Sequence, residues 1–396
     1  MNLNSFFDSI APKEGVGFAS VPGGKATLYG TLYALLTQCY LNPKAELQPE
    51  VLDFILNCQD PETGFFKGPE LEGNVSNNIH DQEHLLFHLT CTALPVLAQF
   101  GENPRYPLHF AHPFCALAHL QQWLDQRDWK KAWLEGNNLL FVGQLLVYLR
   151  DVEKFPGAEK ALEHWFLWLD GQIDPTTGLW GSNGYCSNFD AMCGGYHQLL
   201  VYYHENRAVR YPKALVDTAL ALQHLDGGFS PSGGGGACED VDAVDILVNL
   251  YKLHDYRRAD IRYALRRCLR LINSIQQPDG GYPYKLNQVQ SHMDIPDTRA
   301  GKNVSTTFAT WFRVHTLALM AEILTDEPSL QQPFYFNRQL SMGWHLPWDK
   351  TANPLLRENK AQEKKYLFRF LWHAIPVFIL GLLGKIRRKL SKLWPK

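Results

Sequence analysis

The sequence predicts an all-α protein built from repeated helical hairpins. Three observations support this. A motif containing Gln, Asp, Gly and an aromatic residue recurs at a spacing of about 50 residues. Apolar residues between the copies recur at three- and four-residue steps, which is the spacing of a helix face. No stretch alternates convincingly between apolar and polar residues, as a half-buried strand would. Roughly 330 residues at this period accommodate about six helix pairs.

The repeated motif places a glycine turn between a Gln and an aromatic residue. Glycine suits the reversal between two helices because it adopts positive φ without a Cβ clash. The intervals between the repeated Gln residues are 113, 51 and 53 residues. The first interval is close to twice the others, which predicts one degenerate copy of the motif near 121–123. The four clear copies occupy residues 59–65, 172–180, 223–229 and 276–282.

Helices are predicted on either side of these turns. Residues 215–222 run into the third copy, a second helix follows Gly236, and residues 261–274 run into the fourth copy. Helical hairpins of this size stack either as a closed α/α toroid, with an inner ring of helices around a cavity, or as an open solenoid. Periodicity alone leaves both arrangements open.

Composition and charge exclude some classes of protein. Charged residues make up 20% of the 396 and aromatic residues 13%, with a formal net charge of -2, so neither a disordered chain nor a strongly basic nucleic-acid binder is expected. The charge is uneven, because residues 364–396 hold nine Lys or Arg and no acid. The preceding 363 residues therefore carry a net charge of -11.

Eight scattered cysteines without a C-x-x-C pair, and no visible secretory signal, predict reduced thiols in a cytoplasmic protein.

The Gln-x-x-Asp-Gly-Gly-aromatic pattern resembles the repeat shared by class II terpene cyclases and protein prenyltransferase β subunits. The resemblance covers roughly residues 25–330. It implies the closed arrangement, an (α/α)6 barrel, for a domain at 1–345. It also implies that the repeated Gln and aromatic residues are structural and tie successive hairpins together.

A glycine-led cluster of acids is the most unusual segment of the chain. Residues 233–236 are four glycines, and a run of glycine marks a place where bulk is forbidden. Crowded carboxyls raise each other's pKa, so that one can stay protonated as an acid catalyst. Asp242 and Asp245 are three residues apart and share a helix face. The alternative is a solvated, capped helix start. The acids are Glu239, Asp240, Asp242 and Asp245.

The same segment resembles the D-x-D-D motif of class II terpene cyclases, whose middle Asp protonates an alkene or epoxide. The resemblance implies that Asp242 is the general acid and Asp240 its carboxylate neighbour, acting on a lipophilic polyprenyl substrate without a cofactor. Ala243 stands where the motif has its last Asp, and Asp245 or Glu239 would have to substitute for it. The residues expected to contact substrate are Gly235, Gly236, Trp180 and His315.

The prenyltransferase resemblance implies a zinc site instead. Those β subunits use an Asp, a Cys and a His, and the corresponding residues here are Cys238, Asp240 and His315. The Cys and Asp stand in reversed order relative to that family. A protein of this kind would also need a second, helical partner subunit.

Two further motifs and two further functions stay open. His80 and His84 match H-x-x-E-H, a zinc-peptidase spacing, or form a polar helix start lining the cavity. Cys186, Cys193 and His197 suggest a nucleophile or metal site; the alternative is that residues 194–197 are a loop-to-helix junction at the mouth of the toroid. Closed α/α barrels with clustered acids also suit a lyase or hydrolase for polysaccharide or glycolipid. A non-catalytic scaffold is the remaining alternative.

The C-terminal region predicts attachment to a membrane surface. Residues 346–365 read as a linker, and 366–396 combine a short apolar run with six Lys or Arg and a Trp after residue 384. Such a segment is typical of an interfacial anchor on anionic lipid. A tilted single span and a helix docked on the acidic body are the alternatives.

Overall fold

The computed structural model describes residues 2–72 and 80–347. The predicted tail at 366–396, and all but the first two residues of the linker, lie outside the described residues and stay predictions. The described part is helical apart from a two-stranded ribbon, β1 (Phe18–Ala19) with β2 (Ala26–Thr27). Its α-helices are α1 (Asn4–Ile10), α2 (Leu28–Leu41), α3 (Pro49–Asn57), α4 (Gln82–Gln99), α5 (Leu117–Asp125), α6 (Ala132–Asp151), α7 (Ala158–Gln172), α8 (Asn188–His204), α9 (Pro212–Ala221), α10 (Ala237–Leu253), α11 (Arg258–Ile275) and α12 (Thr307–Ile323).

The even-numbered helices form a closed inner ring. Each of α2, α4, α6, α8 and α10 packs against the next even-numbered helix, and α12 packs back against α2. The contact between α12 and α2 excludes an open solenoid, whose first and last hairpins do not meet. The protein is therefore an all-α, (α/α)6 toroid with six inner helices, as the sequence predicts.

Burial explains which helices lie inside. The inner helices are buried on nearly every side; α10 has fifteen buried residues among its seventeen. A helix that is apolar all round belongs in a core, whereas an amphipathic helix packs one face and exposes the other. The outer helices α3 and α5 bury only one and two residues, Ile55 in α3 and Leu120 with Leu124 in α5.

The repeated Gln ties neighbouring hairpins together. The Gln59 side chain donates to Tyr106 O (2.8 Å) and accepts from Tyr106 N (2.9 Å), in the segment leading to the next hairpin. Gln223 donates to Gly227 O of its own turn and to Ala264 O of α11, both at 2.8 Å. Each buried amide thus satisfies backbone groups that the turns leave unpaired. In the first and third copies this agrees with the structural role implied for the repeat, whereas Gln276 is exposed and donates to Gly280 O of its own turn (2.8 Å).

The repeated aromatic residue lies two positions after the positive-φ glycine. In the first copy that residue is Phe66, which is fully buried, and not Phe65 as the motif suggested. Its backbone N–H donates to Thr90 Oγ1 of α4 (2.9 Å), as Tyr282 N does to Thr310 Oγ1 of α12 (3.0 Å). The equivalent buried aromatics of the other copies are Trp180, Phe229 and Tyr282.

Two local predictions are wrong. Residues 121–123 lie inside α5, so the turn of the degenerate copy comes after that helix, at 126–131. Residues 194–197 are not a loop-to-helix junction but the middle of α8, where Gly194 permits close contact with α6: a Cβ there would lie 2.2 Å from Ala132 O. Within 2–72 and 80–347, no helix is both long and apolar enough to span a membrane.

Candidate functional site

The candidate site lies at one end of the ring, which we call the mouth. Each inner helix from α2 to α10 is followed by an outer helix that returns the chain before the next inner helix begins, so all six inner helices run in the same direction. Their N-terminal ends therefore meet at the mouth, together with the loop 281–306 that leads into α12. The predicted acid cluster begins α10 and the histidines His80 and His84 stand at the start of α4, so both belong to this end.

Asp240 is held in a buried ion pair. Its Oδ1 accepts from Phe229 N (2.7 Å) of the third repeat turn, and its Oδ2 accepts from Arg313 Nη1 of α12. Both side chains are fully buried. Although burial lowers the pKa of Arg313, the Asp240 carboxylate raises it above the ordinary value. The structure thus gives Asp240 two partners that fix the α10 start to its turn and to α12.

Asp242 is a different kind of carboxyl. Its side chain is 1% exposed, and its Oδ2 has no hydrogen-bond partner. The carboxyl contacts the Cys193 thiol of α8. Burial, followed by the nearby Glu239, raises the pKa of Asp242 well above its usual range. Burial also raises the pKa of Glu239, which accepts a short hydrogen bond from the Tyr284 hydroxyl. The mouth therefore contains carboxyl groups disposed to keep a proton at neutral pH.

The glycine run before α10 is required by these acids. Gly235 has a φ of +59°, and a Cβ there would lie 2.5 Å from Asp240 Oδ2. A Cβ on Gly236 would lie 1.9 Å from Glu239 Oε2. The prediction that bulk is forbidden at this segment is confirmed. The atoms that a Cβ would meet belong to the acids of this same chain. The glycine run is therefore explained without a substrate.

Histidines and a tyrosine occupy the opposite wall of the mouth. His88 Nδ1 lies 3.1 Å from the Tyr29 hydroxyl, and the His292 ring contacts both residues, with centroids 5.2 Å from His88 and 4.8 Å from Tyr29. Burial and then His292 lower the pKa of His88 well below its ordinary value, and burial lowers the pKa of His292 to about 3. Both imidazoles are therefore neutral at physiological pH.

Neighbouring residues hold this wall in place. Asp81 caps α4 by accepting from His84 N (2.8 Å), and His84 Nδ1 lies 2.8 Å from Asn138 Oδ1 of α6. The buried Glu70 carboxylate accepts from Leu28 N (2.9 Å) and Tyr29 N (2.7 Å) at the start of α2. The prediction of a polar helix start lining the cavity thus fits His84. Cavities beside the wall are lined by Ser20, Tyr29, Tyr33, His292 and Phe308 on one side and by Asp81, Glu83, His84, Arg127 and Asn138 on the other.

A continuous line of contacts joins the two walls. The Phe308 ring lies 4.0 Å from His292 and 6.1 Å from Tyr284, and Tyr284 binds Glu239. Neutral imidazoles and raised-pKa carboxyls are thus linked through the packed rings of Phe308 and Tyr284. Titratable groups whose surroundings push their pKa values in opposite directions are the usual signature of acid–base chemistry.

A buried polar stripe continues from Asp242 along α10 into the ring. Asp245 and Asn249 follow at helical spacing, and Asn249 Nδ2 donates to Asp245 Oδ1 (2.9 Å). Burial raises the pKa of Asp245 to about 7, against the opposing effect of Lys252. Asp245 Oδ2 and Asn249 Oδ1 have no protein partner. Asp245 is therefore not beside Asp240 at the mouth but one turn deeper than Asp242.

The predicted zinc ligands do not fit a metal site. Across the described ranges, no group of three or more His, Cys, Asp or Glu side chains is arranged to hold a metal ion. Asp240 is already occupied by Arg313, and Cys238 is half-buried at the start of α10. His315 lies in the middle of α12; its Nδ1 bonds the Tyr40 hydroxyl (2.8 Å) and its Nε2 has no partner. The H-x-x-E-H spacing at His80 and His84 likewise forms no such group.

The remaining predicted residues take structural positions. Trp180 is a buried repeat aromatic whose Nε1 donates to Leu169 O of α7 (2.9 Å). His197 Nδ1 bonds Cys193 O within α8 (2.7 Å). Cys186 is half-buried ahead of α8, and all eight cysteines are free thiols. Of these residues, only Cys193 contacts a mouth acid.

Sequence reasoning missed Tyr29, His88, His292 and Arg313. His80, His84 and His88 recur every four residues, which places them on one helix face, and this repeat was a usable signal. Tyr29, His292 and Arg313 lie far from these histidines and from Asp240 along the chain. No spacing rule connects them.

Comparison with known proteins adds little beyond this description. No protein-family model matches the chain, and no curated protein matches it. A solved polysaccharide lyase is similar in structure with a TM-score of 0.47 and 13% sequence identity, over 82% of this chain and 96% of that chain.

Proposed function

We propose that the protein is an acid–base enzyme that cleaves a carbohydrate chain, a polysaccharide or glycolipid, by β-elimination at the mouth of the toroid. The observation that carries this proposal is the juxtaposition of two walls. The neutral His88 lies beside Tyr29 on one side, and the raised-pKa carboxyls Asp242 and Glu239 border the other.

The residues available favour elimination over hydrolysis. Glycoside hydrolysis uses an ionised carboxylate as base or nucleophile together with a protonated partner. At the start of α10, Asp240 is engaged by Arg313, while the pKa values of Glu239 and Asp242 are raised. Elimination needs a neutral base and an acid, which His88 and Asp242 provide.

The reaction balances without a cofactor. His88 removes the proton from the carbon next to a uronate carboxylate, and the electron pair forms a carbon–carbon double bond. The glycosidic carbon–oxygen bond breaks, and the leaving oxygen takes a proton from a mouth acid. Tyr29 orients His88 through their hydrogen bond.

The polarity of the mouth also bears on the substrate class. His84, Asn138 and Asp81 lie beside the candidate base and offer hydrogen bonds to a hydroxylated substrate. A hydrocarbon chain laid against these polar groups would displace water without replacing its hydrogen bonds, which is costly. This lining supports a sugar over a polyprenyl substrate.

Replacing His88 by Gln should lower the rate of chain cleavage at least about a hundredfold, the usual contribution of a general base. The measurement is the ultraviolet absorbance of unsaturated uronate ends released from a panel of uronate polysaccharides. His164, on the outer helix α7 where it bonds Gln121, is the matched control, and His164→Gln should keep full activity. Equal rates for His88→Gln and the unmodified protein would contradict the assignment, and hydrolysis products without the double bond would replace elimination by hydrolysis.

A second candidate is protonation of an isoprenoid, as the terpene-cyclase resemblance implies. The observation that favours it is Asp242 itself, a buried carboxyl of raised pKa with an unpartnered oxygen. Asp242→Asn should abolish cyclised product from a polyprenyl substrate presented in detergent, because the amide cannot supply the proton. Chromatographic analysis of the lipid extract tests this. Full conversion by Asp242→Asn, or no conversion by either protein, would dismiss the cyclase.

A further inference from the structure

Lys285 is a buried cation without an anionic partner. Lys285 is only 7% exposed, and its Nζ donates to Ser230 Oγ (2.9 Å) and Ser232 Oγ (2.6 Å). In the part of the chain that the structure describes, Lys285 forms no ion pair with any Asp or Glu. Taking an ammonium out of water without a counter-charge is costly, and two neutral hydroxyls compensate only part of that cost.

The other buried lysine shows the contrast. Lys252, at the far end of α10, has a side chain 1% exposed and forms an ion pair with Glu322 of α12. Its charge is therefore balanced inside the protein. Lys285 lacks such a balance and carries a third N–H donor that the two serine hydroxyls do not use.

The loop around Lys285 is built for close approach. Gly233, Gly234 and Gly235 all have positive φ, and a Cβ on Gly234 would lie 3.1 Å from Lys285 Cε. Ser232 is exposed, so the hydroxyl to which Lys285 donates lies at the surface of the protein. Tyr284, the preceding residue, binds Glu239, which places Lys285 on the rim of the mouth.

We propose that Lys285, with Ser230 and Ser232, forms an oxyanion subsite at the rim of the mouth that binds the carboxylate of a uronate residue. This inference rests on the proposed function, because it names the charged group of the sugar that the mouth acts on. Binding a carboxylate would balance the buried charge.

The test is thermal unfolding with small anions, which requires no turnover. Glucuronate should raise the melting temperature of the unmodified protein above the effect of glucose at the same concentration, because a ligand that binds only the folded state stabilises it. Lys285→Gln, which keeps one donor to the serines, should lose the glucuronate-dependent shift, and Lys285→Arg should retain it. Sulfate is the second arm: a shift with sulfate and none with glucuronate would contradict the uronate assignment.

A matched control, Lys252, distinguishes a buried cation without a counter-charge from a cation whose ion pair stabilises the fold. In a buffer of chloride alone, Lys285→Gln should melt at the same temperature as the unmodified protein or higher, because the uncompensated charge is gone. Lys252→Gln should melt lower, since it leaves the partly buried Glu322 with His345 but without its lysine. Equal losses for the two variants, with no anion-specific shift in the unmodified protein, would overturn the subsite.

The two proposals fail separately. If glucuronate binds at Lys285 but no uronate polymer is cleaved, the subsite stands and the lyase is wrong. If a uronate polymer is cleaved with release of unsaturated ends and glucuronate produces no shift, the subsite is wrong and the lyase stands.

Discussion

Arg313→Met is expected to lower the free energy of unfolding by about 3–5 kcal/mol, the usual cost of removing one partner from a buried ion pair. The substitution leaves the Asp240 carboxylate buried with one remaining donor, Phe229 N, and removes the guanidinium bond to Tyr284 O. Chemical denaturation followed by tryptophan fluorescence measures the loss.

Two further variants test the cause of this loss. In the double variant Asp240→Asn with Arg313→Met, no buried charge remains and the amide oxygen still accepts from Phe229 N, so much of the stability should return. Arg105→Met, which removes a surface contact to Asp53 at 3.9 Å, should change the stability by no more than about 1 kcal/mol. A double variant no more stable than Arg313→Met alone would show that packing, and not charge, is responsible.

The second large effect is a pH dependence caused by Asp245. Burial raises the pKa of this carboxyl from 3.8 to about 7. Between these values the folded protein keeps a proton that the unfolded chain releases, so the stability from this group falls as the pH rises from about 4 through 7. A shift of about three pKa units corresponds to about 4 kcal/mol. Groups facing Asp245 are Asp242, Asn249 and Lys252 of α10, Tyr196 and Tyr203 of α8, and Tyr40 of α2.

Asp245→Asn should remove this dependence. The amide stays neutral, so the variant should exceed the unmodified protein in stability at pH 8 by up to about 4 kcal/mol and approach it near pH 4. Unfolding free energies at a series of pH values measure the difference between the two proteins. Asp8→Asn, at an exposed carboxyl of α1, should leave the pH profile unchanged. Parallel profiles for Asp245→Asn and the unmodified protein would contradict the assignment.

The fold was largely predictable because it repeats. Each copy of the Gln, Asp, Gly and aromatic motif forms one turn, and the glycine positions follow from local φ alone. The ranges predicted at 215–222, 261–274 and after Gly236 are helical, except that Leu222 is the C-cap of α9. The position of Phe66 was missed because two aromatic residues follow Gly64, and only burial tells which one packs inward.

The candidate site was predictable only in part. The glycine-led acids were found because four carboxyls in seven residues are unusual in any sequence. Their separate roles were not, because Asp240 becomes an ion-pair partner only when α12 brings Arg313 beside it. The zinc assignment failed for the same reason: residue types suggested ligands, but Asp240 and His315 already have partners at Arg313 and Tyr40.

The sequence by itself determined the repeated hairpin, the number of inner helices and the crowded acids at the start of α10, because these depend on local backbone preference and on residues near one another in the chain. The tertiary structure alone decided that the ring closes, that Tyr29, His88 and His292 face the acids across the mouth, and which carboxyls keep a proton. Those properties depend on burial and on contacts between distant helices, and a linear pattern contains neither.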